Sequence, residues 1–336
     1  MSKQKRVIFF SHENDIDGLG CVVLGKLAFG DIDYVLASNG YILEEKFRDY
    51  LERNLLYQYD RVFVTDLALR NPSLEIVSKN PELSKKVLVF DHHISSINED
   101  LNKYNFTRIL EVDKNGTKRC ATDLLYTYLC STGLLCRTKA LDEFVELTRL
   151  EDTWEWKKTG DQGLKAHDMA ILFNELGIDK YIKSMFLKLK RRSNSFDFDS
   201  SEKSIILNKK AEYIATLKRI WSEAEFFEDE LKNKYAGVFA DYEYRNELAE
   251  YVRKLNYEEL KYLVLIALEK GAFGQKSYRS IASGFDVSKI AEAHGGGGHP
   301  EAASVNITEE QKENALILRR KSNRDSIKYL IDSNYN

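Results

Sequence analysis

No run in the 336-residue chain approaches the roughly 20 consecutive apolar residues that a bilayer-spanning helix requires; the longest uninterrupted one is Tyr262 to Leu268. A helical membrane protein is therefore not expected. Cysteine is scarce too, with four in all, and Cys21, Cys120, Cys130 and Cys136 form neither a C-x-x-C pair nor a zinc-ligand spacing. Four are few for a disulfide scaffold of this length, so they are expected to be reduced and structural. A dominant charge is also missing: 50 basic against 53 acidic residues leave a net of −3. No global field draws a polyanion, and any such site must be local. The opening Met-Ser-Lys-Gln-Lys-Arg runs straight into Val7 to Phe10 without the apolar core and small-residue cleavage site of a secretory signal. The expected compartment is the cytoplasm.

What the chain does have is 43% apolar residues and a length that suggests about two domains. Over the first 150 residues, short β-branched or aromatic runs alternate with longer helical patterns. Val7–Phe10, Tyr34–Ala37, Val62–Thr65 and Val87–Phe90 read as strands; Leu19–Phe29, Glu44–Leu55, Pro72–Ser78, Ala121–Cys130 and Lys139–Leu150 read as helices. The expectation is an α/β protein whose residues 1–152 form a mainly parallel, doubly wound sheet. A helical connector, 153–232, contains the Ser/Asp-rich stretch Ser193–Ser204. A smaller α/β segment, 233–308, carries Tyr262–Leu268 as a strand or buried helix and then the glycine run Gly295–Gly298. The tail, 309–336, reads as one charged amphipathic helix over Glu309–Ile331.

Polar residues fall where three of the strands end. The first strand runs into Ser11-His12-Glu13-Asn14-Asp15-Ile16-Asp17-Gly18, the third into Thr65-Asp66, the fourth into Asp91-His92-His93. Ligands of open α/β sheets sit beyond the carboxyl ends of the strands, so these groups should converge. With Asp152 they provide His12, Asp15, Asp17, Asp66 and His92, four carboxylates and two imidazoles in all. That mixture suits a pair of divalent ions, manganese better than an all-oxygen magnesium cage. A calcium loop does not fit, because counting Glu13 as position one puts Leu24 where the bidentate Glu belongs. Taken singly, His12 could be a satisfied strand-end histidine, Asp66 a turn or cap residue, and Asp152, beside Glu151, part of a solvated helix end.

The ordered set His12-x-x-Asp15-x-Asp17-Gly18, Asp66, Asp91-His92-His93 and Asp152 resembles the motifs of the DHH phosphoesterases. The second segment resembles the associated DHHA1 domain through Ser277-Tyr-Arg-Ser280, Asp286-Val-Ser288 and Gly295-Gly-Gly-Gly-His299-Pro-Glu-Ala-Ala303. The resemblance implies one ion held by His12, Asp15 and Asp66 and another by Asp17, Asp66, His92 and Asp152, with Asp66 bridging. Asp91 would orient a histidine, and His93 would face the phosphate or leaving oxygen. Arg279, Gly296, Gly297, Gly298 and His299 would bind substrate across a cleft from the ions. Two departures stand out: the His12 to Asp15 spacing is a short variant, and Ala302-Ala303-Ser304 stands where the family often has a final glycine.

The activity this implies is metal-dependent hydrolysis of short oligoribonucleotides to mononucleotides, as in the oligoribonucleases of that family. Cyclic- or linear-dinucleotide phosphodiesterase is the alternative, and a nucleotide- or RNA-binding protein that has lost catalysis lies further off. Pyrophosphatase fits less well, since that branch lacks the glycine-histidine motif. Expected partners are a short RNA or dinucleotide, with no membrane, and a homodimer is left open. The basic clusters Lys188-Leu-Lys190-Arg191-Arg192 and Arg319-Arg320-Lys321 read as solvated helix faces or as contacts to a longer strand's backbone. Tyr242, Tyr244 and Tyr278 are candidates for base stacking.

Overall fold

Successive residues of a strand face opposite sides of its sheet, and the apolar runs use both sides. In the computed structural model, which describes residues 6–93, 96, 101–191, 194–269 and 274–334, Phe9 and Phe63 pack on one face while Ile8, Phe10, Val62 and Val64 pack on the other. Continuous apolar strands of this kind belong to a parallel sheet covered on both faces. Strands β1 (Val7–His12), β2 (Asp33–Ala37), β3 (Arg61–Thr65), β4 (Val87–Asp91) and β5 (Thr107–Ile109) form that sheet in the order β2-β1-β3-β4-β5, every pair parallel. Met1–Lys5, Arg192 and Ser193 lie outside the described residues.

On one face, α1 (Ile16–Phe29) is buried from Ile16 through Gly25. It is wrapped by α5 (Ala121–Ser131), α6 (Lys139–Asp152), α7 (Gly160–Leu176) and α8 (Ile178–Lys190). Its total burial explains why its apolar residues show no one-sided stripe. The opposite face is covered by α2 (Gly40–Glu52), α3 (Asn71–Lys79) and the short α4 (Leu83–Lys86). Met169, Leu172, Tyr181 and Met185 join the α1-side core, so the helices between 160 and 190 belong to this first unit. The two compact units are Met1–Leu207 and Asn208–Asn336, and the long helix α9 (Ser200–Ser222) runs across that boundary.

The second unit is a six-stranded sheet in the order β10-β11-β9-β8-β7-β6. Its strands are β6 (Glu225–Glu228), β7 (Lys234–Phe239), β8 (Leu260–Ala267), β9 (Gly274–Ser280), β10 (Gly297–His299) and β11 (Ala302–Ile307), and only β7 and β8 pair in parallel. Tyr262–Leu268 is thus resolved as strand. Helix α10 (Arg245–Lys254) covers one face; α11 (Ser288–Ala293), α12 (Glu309–Arg319) and α13 (Asn323–Asp332) cover the other.

Several sequence expectations need correction. The tail is two helices, not one: the chain breaks at Lys321-Ser322, where Ser322 caps α13 by accepting from the Asp325 N–H. Six strands, β5, β6, β7, β9, β10 and β11, go unmarked in the sequence reading; of these β5, β6 and β10 are too brief for alternation to register. Tyr278 is fully buried in the sheet and cannot meet a base. Lys188 pairs with Glu202 at 2.7 Å, and the Arg319 guanidinium lies over the Phe239 ring at 4.3 Å, so both basic clusters are partly spent within the protein. All four cysteines are free thiols. Among the described residues, no helix is long and apolar enough to cross a membrane.

Phe63 stacks on Phe9 at 4.6 Å and faces Phe90 at 6.5 Å, in the strand row beneath the polar strand ends. Phe63→Ala should cost about 3–5 kcal/mol. Urea unfolding with an unchanged slope would register that loss, and a change below about 1 kcal/mol would show that this row does not anchor the sheet.

Candidate metal centre

The polar residues at the ends of β1, β3 and β4 meet at the carboxyl edge of the first sheet. At β1, Ser11 Oγ donates to the Gly18 carbonyl at 2.8 Å and lies 2.7 Å from Thr65 Oγ1, tying the first turn of α1 to two strand ends. Gly18 is needed there, because a Cβ would come within 2.3 Å of the His12 carbonyl oxygen. Asp15 caps α1: its Oδ1 accepts from the Asp17 and Gly18 N–H groups, leaving Oδ2 for His12 Nδ1 at 2.7 Å. His12 Nε2 sits 3.2 Å from the Ser38 carbonyl.

Asp17 is wholly buried, and its carboxylate accepts from the Ala121 and Thr122 N–H groups at 2.7 and 2.8 Å. It thereby caps α5, whose own N-cap residue, Cys120, makes no side-chain capping bond. Sequence reading overlooked this pairing. Its one trace is a helix starting Cys-Ala-Thr with no Ser, Thr, Asp or Asn at its N-cap, which must find its acceptor elsewhere.

Asp66 follows β3 at φ 63°, in the left-handed region that Asp tolerates better than most residues. Its N–H still donates to the Phe90 carbonyl at 2.9 Å, so the chain turns without leaving the sheet. That turn aims the carboxylate inward. Asp66 Oδ2 lies 3.4 Å from His12 Nδ1, and Asp66 Oδ1 lies 3.4 Å from His92 Nε2. His92 Nε2 is also 3.4 Å from Asp152 Oδ2 and 3.8 Å from Asp17 Oδ2. Two ligand-like groups, His12 with Asp15 and Asp66, and Asp17 with His92 and Asp152, each have candidate atoms within 4.8 Å of one another, and a third, Asp66 with Asp91, His92 and His93, overlaps them.

Asp91 is buried and works on its neighbours. Its Oδ1 accepts from the His92 N–H at 2.8 Å and lies 2.7 Å from His93 Nδ1, while Ser96 Oγ donates to Oδ2 at 2.5 Å. His93 is more exposed than His92 and borders a cavity of about 220 Å³ lined by Leu67, Arg70 and Leu101 among others.

The electrostatics are those of too much negative charge in too little water. Burial, then the charges of Asp15 and Asp17, hold the Asp66 carboxyl well above the usual range. Burial, then Asp17, pushes Asp152 up to about 9. Asp152 is also the last residue of α6, at the negative end of the helix dipole, where an ionised carboxylate is disfavoured. Burial opposes charge on His12, but the hydrogen bond to Asp15 and the nearby Asp66 carboxylate overcome it and raise the ring to about 10. His93 is raised by its bond to Asp91.

Both Asp66 oxygens, His92 Nε2 and Asp152 Oδ2 are buried without a hydrogen-bond partner. An unpaired buried charge costs several kcal/mol, so grouped carboxylates of this kind call for cations. Oxygen donors mixed with imidazole nitrogens match divalent ions of the manganese kind better than a soft-metal thiolate site.

In the second unit, the glycine run is not a linker. It forms a turn leading into edge strand β10, where a Cβ on Gly296 would come within 2.1 Å of the Ser304 carbonyl oxygen and Gly298 adopts φ 150°. Both positions exclude a side chain, whereas Gly297 has open space. His299 is exposed and pairs with Ala302, which pairs with Arg279, so the two positions lie in one row two strands apart, about 10 Å. The Arg279 guanidinium is buried, donating from Nε to Asn246 Oδ1 at 3.1 Å and from Nη1 to the Tyr278 carbonyl at 2.8 Å.

A five-stranded parallel sheet with a carboxylate-histidine centre at its carboxyl edge, followed by a mixed-sheet unit bearing a glycine-histidine edge, defines an α/β protein of the metal-site class. Residues 232–320 match the DHHA1 domain family. Over 311 residues the chain is 33% identical to oligoribonuclease NrnB of Bacillus subtilis (strain 168), covering 90% of this chain and 73% of that protein. The chain belongs to the DHH/DHHA1 phosphoesterase family. Among solved structures, it aligns with the pGpG-specific phosphodiesterase PggH of Vibrio cholerae (TM-score 0.49, 16% identity, 94% of this chain and 98% of that one). It also aligns with the DHH domain of a member of the s1p family of ribosomal proteins (TM-score 0.49, 13% identity, 99% and 88%).

Divalent ions should stabilise the fold in a pH-dependent way. Asp66, Asp152 and His12 all hold protons more tightly than usual, and a cation must displace them, so raising pH removes a competitor. Manganese at a hundredfold excess over its dissociation constant should add about 3 kcal/mol. The rise in Tm should be larger at pH 8 than at pH 6; an equal or reversed shift would show that these groups do not hold the ion.

Proposed function

We propose that this protein is a metal-dependent phosphodiesterase that degrades short oligoribonucleotides to mononucleotides. The observation that carries the reading is Asp66, buried, with both oxygens unbonded and one directed to each of two ligand-like groups. Family membership and the likeness to an oligoribonuclease support the substrate class.

His12, Asp15 and Asp66 would hold one divalent ion and Asp17, Asp66, His92 and Asp152 the other, with manganese the best match to these donors. When bound, such ions supply Lewis-acid polarisation of a phosphoryl oxygen and lower the pKa of water. The chain's own residues do the rest. Asp91 fixes the His93 ring through Nδ1, which leaves Nε2 to donate to the departing sugar oxygen. Ser96 fixes Asp91 in turn. In the second unit, Arg279, His299 and the Gly297–Gly298 backbone are assigned to the substrate's phosphates, while the Gly296 N–H is held by the Ala291 carbonyl and positions the loop.

Purified protein with manganese should cleave labelled di- to pentaribonucleotides to mononucleotides, and should do so faster than it cleaves cyclic dinucleotides or pyrophosphate. Preference for a cyclic or linear dinucleotide would replace the substrate assignment, and inactivity on every substrate would replace the enzyme with a binding protein. Asp66→Ala should abolish turnover and reduce bound metal below two ions per chain; a variant retaining both would remove the bridging role. Arg279→Ala should raise KM roughly 10-fold or more with metal content intact. Loss of metal from that variant would show the residue is misplaced.

A further inference from the structure

Two residues beyond Asp152 stands Trp154, 68% exposed. It adopts φ 61° and ψ 13°, a left-handed conformation that is an outlier for a bulky side chain. Such a conformation persists only where the surroundings over-determine it, and it concentrates at ligand sites. The surroundings do so here. The Trp154 N–H donates to the Glu151 carbonyl at 3.1 Å, and the Glu155 carboxylate that follows is gripped by Arg149, itself buried and bonded to Glu146 and the Lys118 carbonyl. Below, Trp156 stacks on His167 at 4.1 Å and 11°, and His167 Nδ1 lies 3.1 Å from Glu151.

The outcome is a rigid turn presenting one indole to solvent. Two residues of chain span at most about 7 Å, so that indole is anchored beside the metal centre. Its neighbours Glu155, Lys157 and Lys158 are charged, which rules out a broad apolar docking patch. The Lys157 ammonium lies over the Trp154 ring at 5.2 Å from its centroid and 5.4 Å from that of Trp156, placing positive charge over one face of the indole. A flat ring with an adjoining cation fits a nucleobase and its phosphate.

We propose that Trp154 is a base-stacking platform of the substrate site, with Lys157 meeting the adjoining phosphate. This subsite rests on the phosphodiesterase reading above. Its residues belong to neither ligand-like group, so substitution leaves the metal centre's own side chains in place.

The test compares wild type, Trp154→Ala, Trp154→Gly and Trp154→Phe, manganese-loaded, on a linear diribonucleotide and on an analogue lacking both bases. KM for the dinucleotide should rise roughly 5- to 100-fold in the Ala and Gly variants and much less in the Phe variant, the range for losing one stacked base. KM for the baseless analogue should not change. Thermal stability of Trp154→Gly should equal or exceed wild type, because glycine takes the left-handed conformation freely; a merely structural tryptophan would lower it. Unchanged KM in the Ala and Gly variants, or an equal rise with the baseless analogue, overturns the platform. Calorimetric binding of the dinucleotide to wild type and Trp154→Gly separates this from the parent reading. A wild-type chain that hydrolyses nothing sinks the activity, whereas equal affinities sink the platform.

Discussion

Crowded, buried carboxylates at the edge of the first sheet set the terms for everything around them. Asp17 and Asp66 are taken out of water within reach of Asp15 and Asp152, and neither Asp66 oxygen has a hydrogen-bond donor. Without cations, such a cluster can lower its charge only by taking up protons, which is why Asp66 and Asp152 hold theirs far above the ordinary carboxylate range. The same imbalance is what suits the cluster to cations.

Much of the architecture serves to keep that imbalance in place. The left-handed turn at Asp66 aims its side chain inward while its N–H stays bonded to β4. Gly18 lets α1 start against the end of β1, and the N-terminus of α5 fastens Asp17 from the far side. Helix α6 carries Asp152 at its carboxyl end, where the helix dipole adds to the burial penalty. A fold that relaxed any of these would be easier to stabilise and less able to hold ions, the usual opposition between stability and a working site.

The second unit follows a different logic. Its sheet is mostly antiparallel, and its candidate anion-binding glycines and His299 sit at an edge rather than at strand ends, with Arg279 two strands further in. There the glycines are fixed by the backbone of β11, which approaches Gly296 and Gly298 too closely for any side chain. The Gly295 and Gly296 N–H groups are held in turn by the Glu292 and Ala291 carbonyls, so the turn is fixed from both sides.

Strand and helix positions in the first unit were readable from the order of residues, because apolar runs buried on both faces and helices of ten or more residues leave a periodic trace that neighbours cannot erase. The acids and histidines after β1, β3 and β4 were readable for the same reason: a strand's end tells where its next side chains must go. Three-residue β5 and four-residue β6 were too short to leave such a trace, and the break at Ser322 hid inside an otherwise helical pattern. Contacts across a hundred residues were beyond reach altogether. That Asp17 caps a helix beginning at Ala121, that Asp66 faces two imidazoles at once, and that Tyr278 lies under the sheet instead of on its surface are facts of packing. Local propensity acts over a turn or two of chain, whereas burial and long-range pairing depend on which segments become neighbours, and those come into being only when the chain closes on itself.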